Sequence, residues 1–234
     1  MKGSITSKVC ALAIAAALAA CASPGPEKTA AEQNSGFLQD YSRLTWGKDA
    51  KGNEVRTWAS SKLSPSNYNA VLLEPLIFYP EPKATEQVSA GELTKMVAYA
   101  NEALRRELDK RFVLVNQPQP GAIRLRGAIS GVVAQEEGLS AYQYVPIAFV
   151  ATMASRAVSG TPQRAFVLSE SEVTDSTTGE ALALRVKAGT GAGGKLKELS
   201  GKQQLTLEMV KPLIDELAAA ALPDLEKGVK PKAK

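Results

Sequence analysis

The chain has 234 residues, of which 44% are hydrophobic and 22% are charged, a composition typical of one globular domain with short appendages. It contains no histidine, and its two cysteines, Cys10 and Cys21, both lie near the N-terminus. The remainder of the chain therefore lacks the residue types for Cys/His zinc sites, Ser-His-Asp triads and cysteine nucleophiles. No cofactor is expected.

Residues 1–20 have the pattern of a signal peptide: a positive stretch with Lys2 and Lys8, then twelve apolar residues, too few to span a bilayer. The stretch ends in LAAC (18–21), which resembles the lipobox of bacterial lipoproteins. By that resemblance Cys21 is the lipidation site and carries acyl chains such as palmitate, which together hold a protein firmly on a membrane. The alternative is an ordinary secretory signal in which Cys21 is incidental.

Cleavage before Cys21 removes two lysines from a net charge of +4 and leaves +2, which gives no reason to expect nucleic-acid binding. Ala22 follows the cysteine instead of an aspartate that would resemble an inner-membrane retention signal. We therefore expect an outer-membrane anchor with the domain facing the periplasm. Residues 21–35 are expected to be a flexible tether, residues 36–222 a single domain, and residues 223–234 a basic, solvated tail.

The N-terminal part of the domain contains two predicted features. Residues 36–44 carry Phe37, Leu38, Tyr41 and Leu44, which are expected to hold this segment on the domain. Residues 45–67 are polar and are predicted to be irregular. Trp46 and Trp58 in that stretch could pack against the domain or could stack on a ligand or partner.

The remaining elements alternate between strand and helix patterns. Strands are predicted at 69–79, 112–116 and 122–135, and a hairpin at 164–174 and 181–187 turns at residues 175–180. A capping box from Ser89 to Glu92 starts a predicted helix at 90–111, and a last helix covers 203–222, with Pro212 either kinking it or starting its main segment. The order β-α-β-β-insert-β-β-α predicts a two-layer α+β domain, with one mixed or antiparallel twisted sheet and helices on one face.

The insert at residues 138–155 has no charged residue. It could close the open sheet face as a helix or lid, dock on a membrane, or form a surface for self-association or a protein partner. The residues proposed for that partner surface are Tyr142, Tyr144, Val145, Ile147, Phe149 and Met153.

Two motifs suggest chemistry that their context does not support. Residues 189–196 match a glycine-rich nucleotide loop, but Leu196 stands where a P-loop needs Ser or Thr, and the run follows a hairpin strand. Paired carboxylates suitable for acid–base catalysis are available among Glu136, Glu137, Glu170, Glu172 and Asp175. Glu170 and Glu172 are two apart on one strand and so share a face, and the prediction for them is an outward polar face, because nothing in the sequence indicates that one of them is shielded.

The chain resembles the domain of unknown function 3313 family of bacterial lipoproteins. The resemblance covers nearly all of the mature chain, including the lipobox, SGFLQDYSRL (35–44), VLLEPLIFY (71–79) and SGTPQRAFVLSESEVTDSTTGEALA (159–183). It implies an outer-membrane or periplasmic lipoprotein and brings no activity or catalytic residues with it.

The leading functional hypothesis is a non-enzymatic, lipid-anchored module that binds an envelope protein or a second copy of itself. One alternative is a carboxylate-dependent enzyme acting on cell wall or glycan, which requires a cleft that holds two carboxyl groups. Another is a carrier of a small apolar ligand, which requires a cavity between helices and sheet.

Overall fold

The computed structural model describes residues 34–49, 54–84, 88–136, 163–190 and 204–233. Within these ranges lie eight strands, namely β1 (Thr45–Lys48), β2 (Glu54–Ala59), β3 (Ala70–Leu73), β4 (Ile77–Phe78), β5 (Val113–Val115), β6 (Ala122–Glu136), β7 (Gln163–Asp175) and β8 (Ala181–Thr190). The same ranges contain the helices α1 (Ala90–Asp109), α2 (Leu207–Ala219) and the short α3 (Leu222–Leu225). None of the helices so described is both long and apolar enough to cross a membrane.

All eight strands form one mixed sheet, which confirms the predicted two-layer α+β class. Its order is β1-β2-β8-β7-β6-β3-β5, and β4 pairs with β6 beyond the end of β3. The pairs β1–β2, β2–β8, β8–β7 and β7–β6 are antiparallel. In contrast, β3 and β4 run parallel to β6, and β5 runs parallel to β3. The sheet is open, with β1 and β5 at its two edges.

The strand predicted at 69–79 is two strands, β3 and β4, separated by residues 74–76. Pro75 has no N–H to donate to a ladder. Asn101 of α1 supplies the missing partners next to it: its Oδ1 accepts from the Leu76 N–H at 2.7 Å, and its Nδ2 donates to the Leu76 carbonyl at 2.9 Å. The break in the strand thus attaches α1 to the sheet.

Only one of the two hydrogen bonds of the predicted capping box forms at α1, because the Glu92 side chain caps α2 instead. Ser89 Oγ accepts from the Glu92 N–H at 3.2 Å and caps α1 as predicted. The Glu92 carboxylate accepts instead from the Leu207 N–H at 2.8 Å, at the start of α2, whose own N-cap Thr206 makes no side-chain cap. Pro212 lies inside α2 and does not start it.

The helices cover one face of the sheet, and the N-terminal segment covers the other. The main core cluster lies under the helices. Three of its side chains have no exposed surface: Leu108 of α1, Phe112 of the turn after α1, and Ile123 of β6. On the opposite face Phe37 and Leu38 pack with the inward residues of β6 and β8. The prediction that residues 36–44 are held on the domain is therefore confirmed.

Two predictions about the ends of the domain are wrong. The stretch 45–67 contains strands β1 and β2, which extend the sheet beside β8, so it is not irregular. The domain also continues past residue 222, because Leu225 and Val229 are buried in the main core cluster. The Lys232 N–H then donates to the Arg111 carbonyl at 2.7 Å, although the side chains of Lys227, Lys230 and Lys232 remain exposed.

Candidate functional site

A cavity of about 260 Å³ lies between the sheet and the helices. It exists because the facing positions of both layers carry small residues. On the sheet these are Gly127, Ser169, Ser171 and Ala183; on the helical side they are Ala100, Ala218, Ala220 and Ala221. Larger aliphatic residues complete the wall: Leu104, Leu125, Ile129, Ile214 and Leu217. An apolar cavity of about 150 Å³ in another protein is already large enough to bind benzene, so this one has room for a small apolar ligand.

Two cations of β8 line this cavity, and each has a carboxylate partner. Arg185 Nη1 is ion-paired with Asp224 of α3. Lys187 Nζ lies 2.8 Å from Asp49 Oδ2, and both of these side chains are largely buried. Arg185 Nε is buried and has no hydrogen-bond partner among the described residues. The wall is therefore apolar along most of its area, and the two β8 cations on it are ion-paired, Arg185 with Asp224 on the same wall and Lys187 with Asp49.

On the other sheet face, Glu170 of β7 is buried beneath the N-terminal segment and is 1% exposed. The Tyr41 hydroxyl donates to Glu170 Oε2 at 2.5 Å and accepts from the Gly36 and Leu38 N–H groups, each at 3.1 Å. Gly36 adopts φ +92°, a conformation that favours glycine, so the chain can fold back onto this ring. Burial and the Glu170 carboxylate together raise the pKa of Tyr41.

Glu172 lies two residues further along β7 on the same face and is also buried. Arg126 Nε of β6 lies 3.3 Å from Glu172 Oε2. The same guanidinium donates to the Phe37 carbonyl at 2.8 Å and lies over the Phe37 ring. The prediction that Glu170 and Glu172 form an outward polar face is therefore wrong. The N-terminal segment covers both carboxylates, so they share a buried contact region and not a substrate cleft.

Asp175 ends β7 and organises the hairpin turn. Its Oδ1 accepts from the Thr177 hydroxyl and from the N–H groups of Thr177 and Thr178, and its Oδ2 accepts from the Tyr68 hydroxyl at 3.1 Å. These bonds, the Thr177 hydroxyl first, hold the pKa of Asp175 well below its ordinary value. Burial and Asp175 raise the pKa of Tyr68 to about 12. Gly179 supplies the predicted positive φ, at +73°.

Replacing Asp175 with asparagine is expected to lower the free energy of unfolding by about 1–2 kcal/mol at pH 7, since hydrogen bonds to a charged acceptor are lost. The native pKa is depressed, so the carboxylate's contribution is present above the unfolded value of about 3.9 and is lost as the pH falls below it. Urea unfolding at several pH values should show the gap to wild type narrowing below about pH 4. A gap that does not change with pH would contradict this. Asp109→Asn is the control, because Asp109 is an exposed ion-pair partner of Lys232.

Several predicted site residues lie outside the described residues. These are Cys21, Glu137 and the six residues proposed as a partner surface: Tyr142, Tyr144, Val145, Ile147, Phe149 and Met153. Of the glycine-rich run, Gly189 and Thr190 belong to β8, and the rest lies outside. In the part of the chain that the structure describes, no group of three or more acidic, cysteine or histidine side chains is placed to hold a metal ion.

Sequence reasoning missed two features of these sites. Tyr41 was expected to pack, and nothing local indicated that its hydroxyl serves a carboxylate 129 positions away. The sequence pattern places Arg185 on a hairpin strand and gives it no role. Its signal is the alternation of Ala183, Arg185 and Lys187 with Leu184 and Val186, which places both cations on the helical side of β8.

The comparisons with known proteins agree on a family. The family model described as "Protein of unknown function (DUF3313)" matches residues 33–221. The "Uncharacterized lipoprotein YdcL" of Escherichia coli (strain K12) is 31% identical over 222 residues, which cover 94% of this chain and 96% of that protein, and its namesake from Escherichia coli O157:H7 matches equally. Among solved structures, the PelC dodecamer from Paraburkholderia phytofirmans has a TM-score of 0.30 and 14% identity, over 70% of this chain and 94% of that one. At that score the likeness carries no argument about this chain.

Proposed function

This chain belongs to the family described as "Protein of unknown function (DUF3313)", and on that premise we propose that it is an envelope lipoprotein and acts as a non-enzymatic binding module. Cys21 carries the lipid, and the domain is held at the outer membrane and faces the periplasm. Its partner is an envelope protein or a second copy of this chain. The description of its Escherichia coli relative as a lipoprotein supports the anchor.

The observation that carries the proposal is the burial of Glu170 and Glu172 beneath the N-terminal segment. A glycosidase needs two carboxyl groups on either side of an accessible bond, and here the chain that leads to the tether occupies that place. The same contacts attach the tether to the centre of the sheet. Because anchoring raises the local concentration of the domain at the membrane, weak contacts with a partner become effective.

A second candidate function is carriage of a small apolar ligand, and the cavity of about 260 Å³ between helices and sheet favours it. Ligand sites of this kind are concave, mostly apolar, and carry a few polar groups that fix orientation. Both functions are compatible with one lipid-anchored domain.

The binding-module proposal is tested by placing a photoreactive residue at Phe149 and crosslinking in cells. We expect one discrete adduct with an envelope protein or with a second copy of the chain, found in the outer-membrane fraction. In the Cys21→Ser variant the protein should appear in the soluble fraction. The adduct should then fall by at least about tenfold, because the tethered concentration is lost.

A photoreactive residue at Glu102 is the matched control, because that side chain is exposed on α1 outside both sites. It should give no discrete adduct. Adducts of equal yield from both positions would mean random collision and would contradict the proposal. So would a Cys21→Ser variant that stays in the membrane fraction with an unchanged adduct.

A further inference from the structure

We propose that the cavity binds a single-chain amphiphile with an anionic head group, whose chain fills the apolar space and whose head accepts a hydrogen bond from Arg185. This inference rests on the second candidate function above, ligand carriage, and adds the ligand class and the residue that selects it. The cavity lies inside the two-layer domain, between α1, α2 and the sheet.

The lining of the cavity suits an alkyl chain. Gly127 of β6 lies opposite Ser171 of β7, and Ser171 lies opposite Arg185 of β8, while Ala100 and Ala218 line the cavity from the two helices. The small side chains therefore leave space across the strands toward Arg185. Removing an alkyl chain from water into such a space contributes about 0.8 kcal/mol per buried CH₂.

An unsatisfied guanidinium donor at the cavity favours an anionic head. Arg185 is one-fifth exposed, is bound by Asp224 through Nη1, and leaves its buried Nε without a hydrogen-bond partner in the described ranges. A buried unsatisfied donor costs free energy. A carboxylate or phosphate oxygen would satisfy it with a charge-assisted hydrogen bond, the geometry for which guanidinium groups are well suited. Lys187, on the same cavity wall, is already ion-paired with Asp49, so the head group is selected by Arg185.

The test uses the full mature chain with Cys21→Ser, so that its own acyl chains cannot compete, and titrates it calorimetrically with decanoate and with decan-1-ol. These probes share a chain and differ in head charge. We expect decanoate to bind at least about tenfold more tightly, as one charge-assisted hydrogen bond implies. Ala218→Leu, or Ala100→Leu if the first does not fold, should abolish binding of both probes by filling the cavity.

Two substitutions separate a head-group role from a structural one. Arg185→Gln should weaken decanoate binding about ten- to hundredfold and leave decan-1-ol binding unchanged. Asp224→Asn, which removes the competing carboxylate, should maintain or tighten decanoate binding, whereas a merely structural ion pair would make both variants equally weak. Arg111→Gln is the control, because Arg111 pairs with Glu226 outside the cavity.

The outcomes distinguish the inference from the function on which it rests. If both probes bind equally and Arg185→Gln changes neither, ligand carriage stands and the head-group inference is overturned. If neither probe binds, ligand carriage and the inference both fail. The crosslinking result at Phe149 is independent of either outcome.

Discussion

Replacing Tyr41 with phenylalanine is expected to lower the free energy of unfolding by about 3 kcal/mol, a large loss for a change of one oxygen atom. The hydroxyl is the donor to buried Glu170 and the acceptor for two backbone N–H groups of the N-terminal segment. Leaving a buried acceptor without its hydrogen-bond donor costs about 1–3 kcal/mol, and the loss is at the upper end here because two backbone N–H groups also lose their acceptor. Chemical denaturation measures the loss, and limited proteolysis should show faster cleavage near residues 34–44.

Tyr79→Phe is the matched control, because Tyr79 lies beside Phe37 on the same face, at a ring distance of 5.8 Å and half-exposed. It should change stability by less than about 0.5 kcal/mol. Glu170→Gln removes the buried charge, so adding it to Tyr41→Phe should cost less than the sum of the two single changes. Strictly additive costs would mean that the Tyr41 hydroxyl and the Glu170 carboxylate are not coupled.

Replacing Phe112 with alanine is expected to cost about 3–5 kcal/mol, the largest single effect predicted for this chain. Phe112 has no exposed surface, and it lies where α1 turns into β5, with its N–H donating to the Leu108 carbonyl at 2.8 Å. It packs in the cluster that also contains Leu225 and Val229, so its loss loosens both ends of the helical layer. A thermal scan should show a drop of roughly 6–20 °C for a domain of this size.

Val113→Ala, one residue further on, is the control. Val113 is 44% exposed on the edge strand β5, so its truncation should cost less than about 1 kcal/mol. Similar costs at the two positions would mean that Phe112 is not the core residue that its burial indicates.

Local patterns in the sequence were sufficient to predict the layer architecture. The helical spacing after Ser89, the alternation around Ile123 and Leu125, and the Asp175 to Gly179 turn each act over a few residues, and each predicts the element that the structure contains. The composition also excluded imidazole and thiol chemistry outside the N-terminal region. That exclusion depends only on which residues are present and not on where they lie in the fold.

The tertiary structure alone decided which residues meet. The partner of Glu170 is Tyr41, 129 positions away, and the partner of Arg185 is Asp224, so no local window contains either pair. The strands at 45–59 could not be predicted, because their short polar segments are stabilised by the ladders they join beside β8 more than by their own pattern. Whether small residues on facing layers leave a cavity depends on how far apart the helices and the sheet lie, and this distance depends on how the larger residues of both layers pack together. That spacing is a property of packing, and only the folded chain shows it.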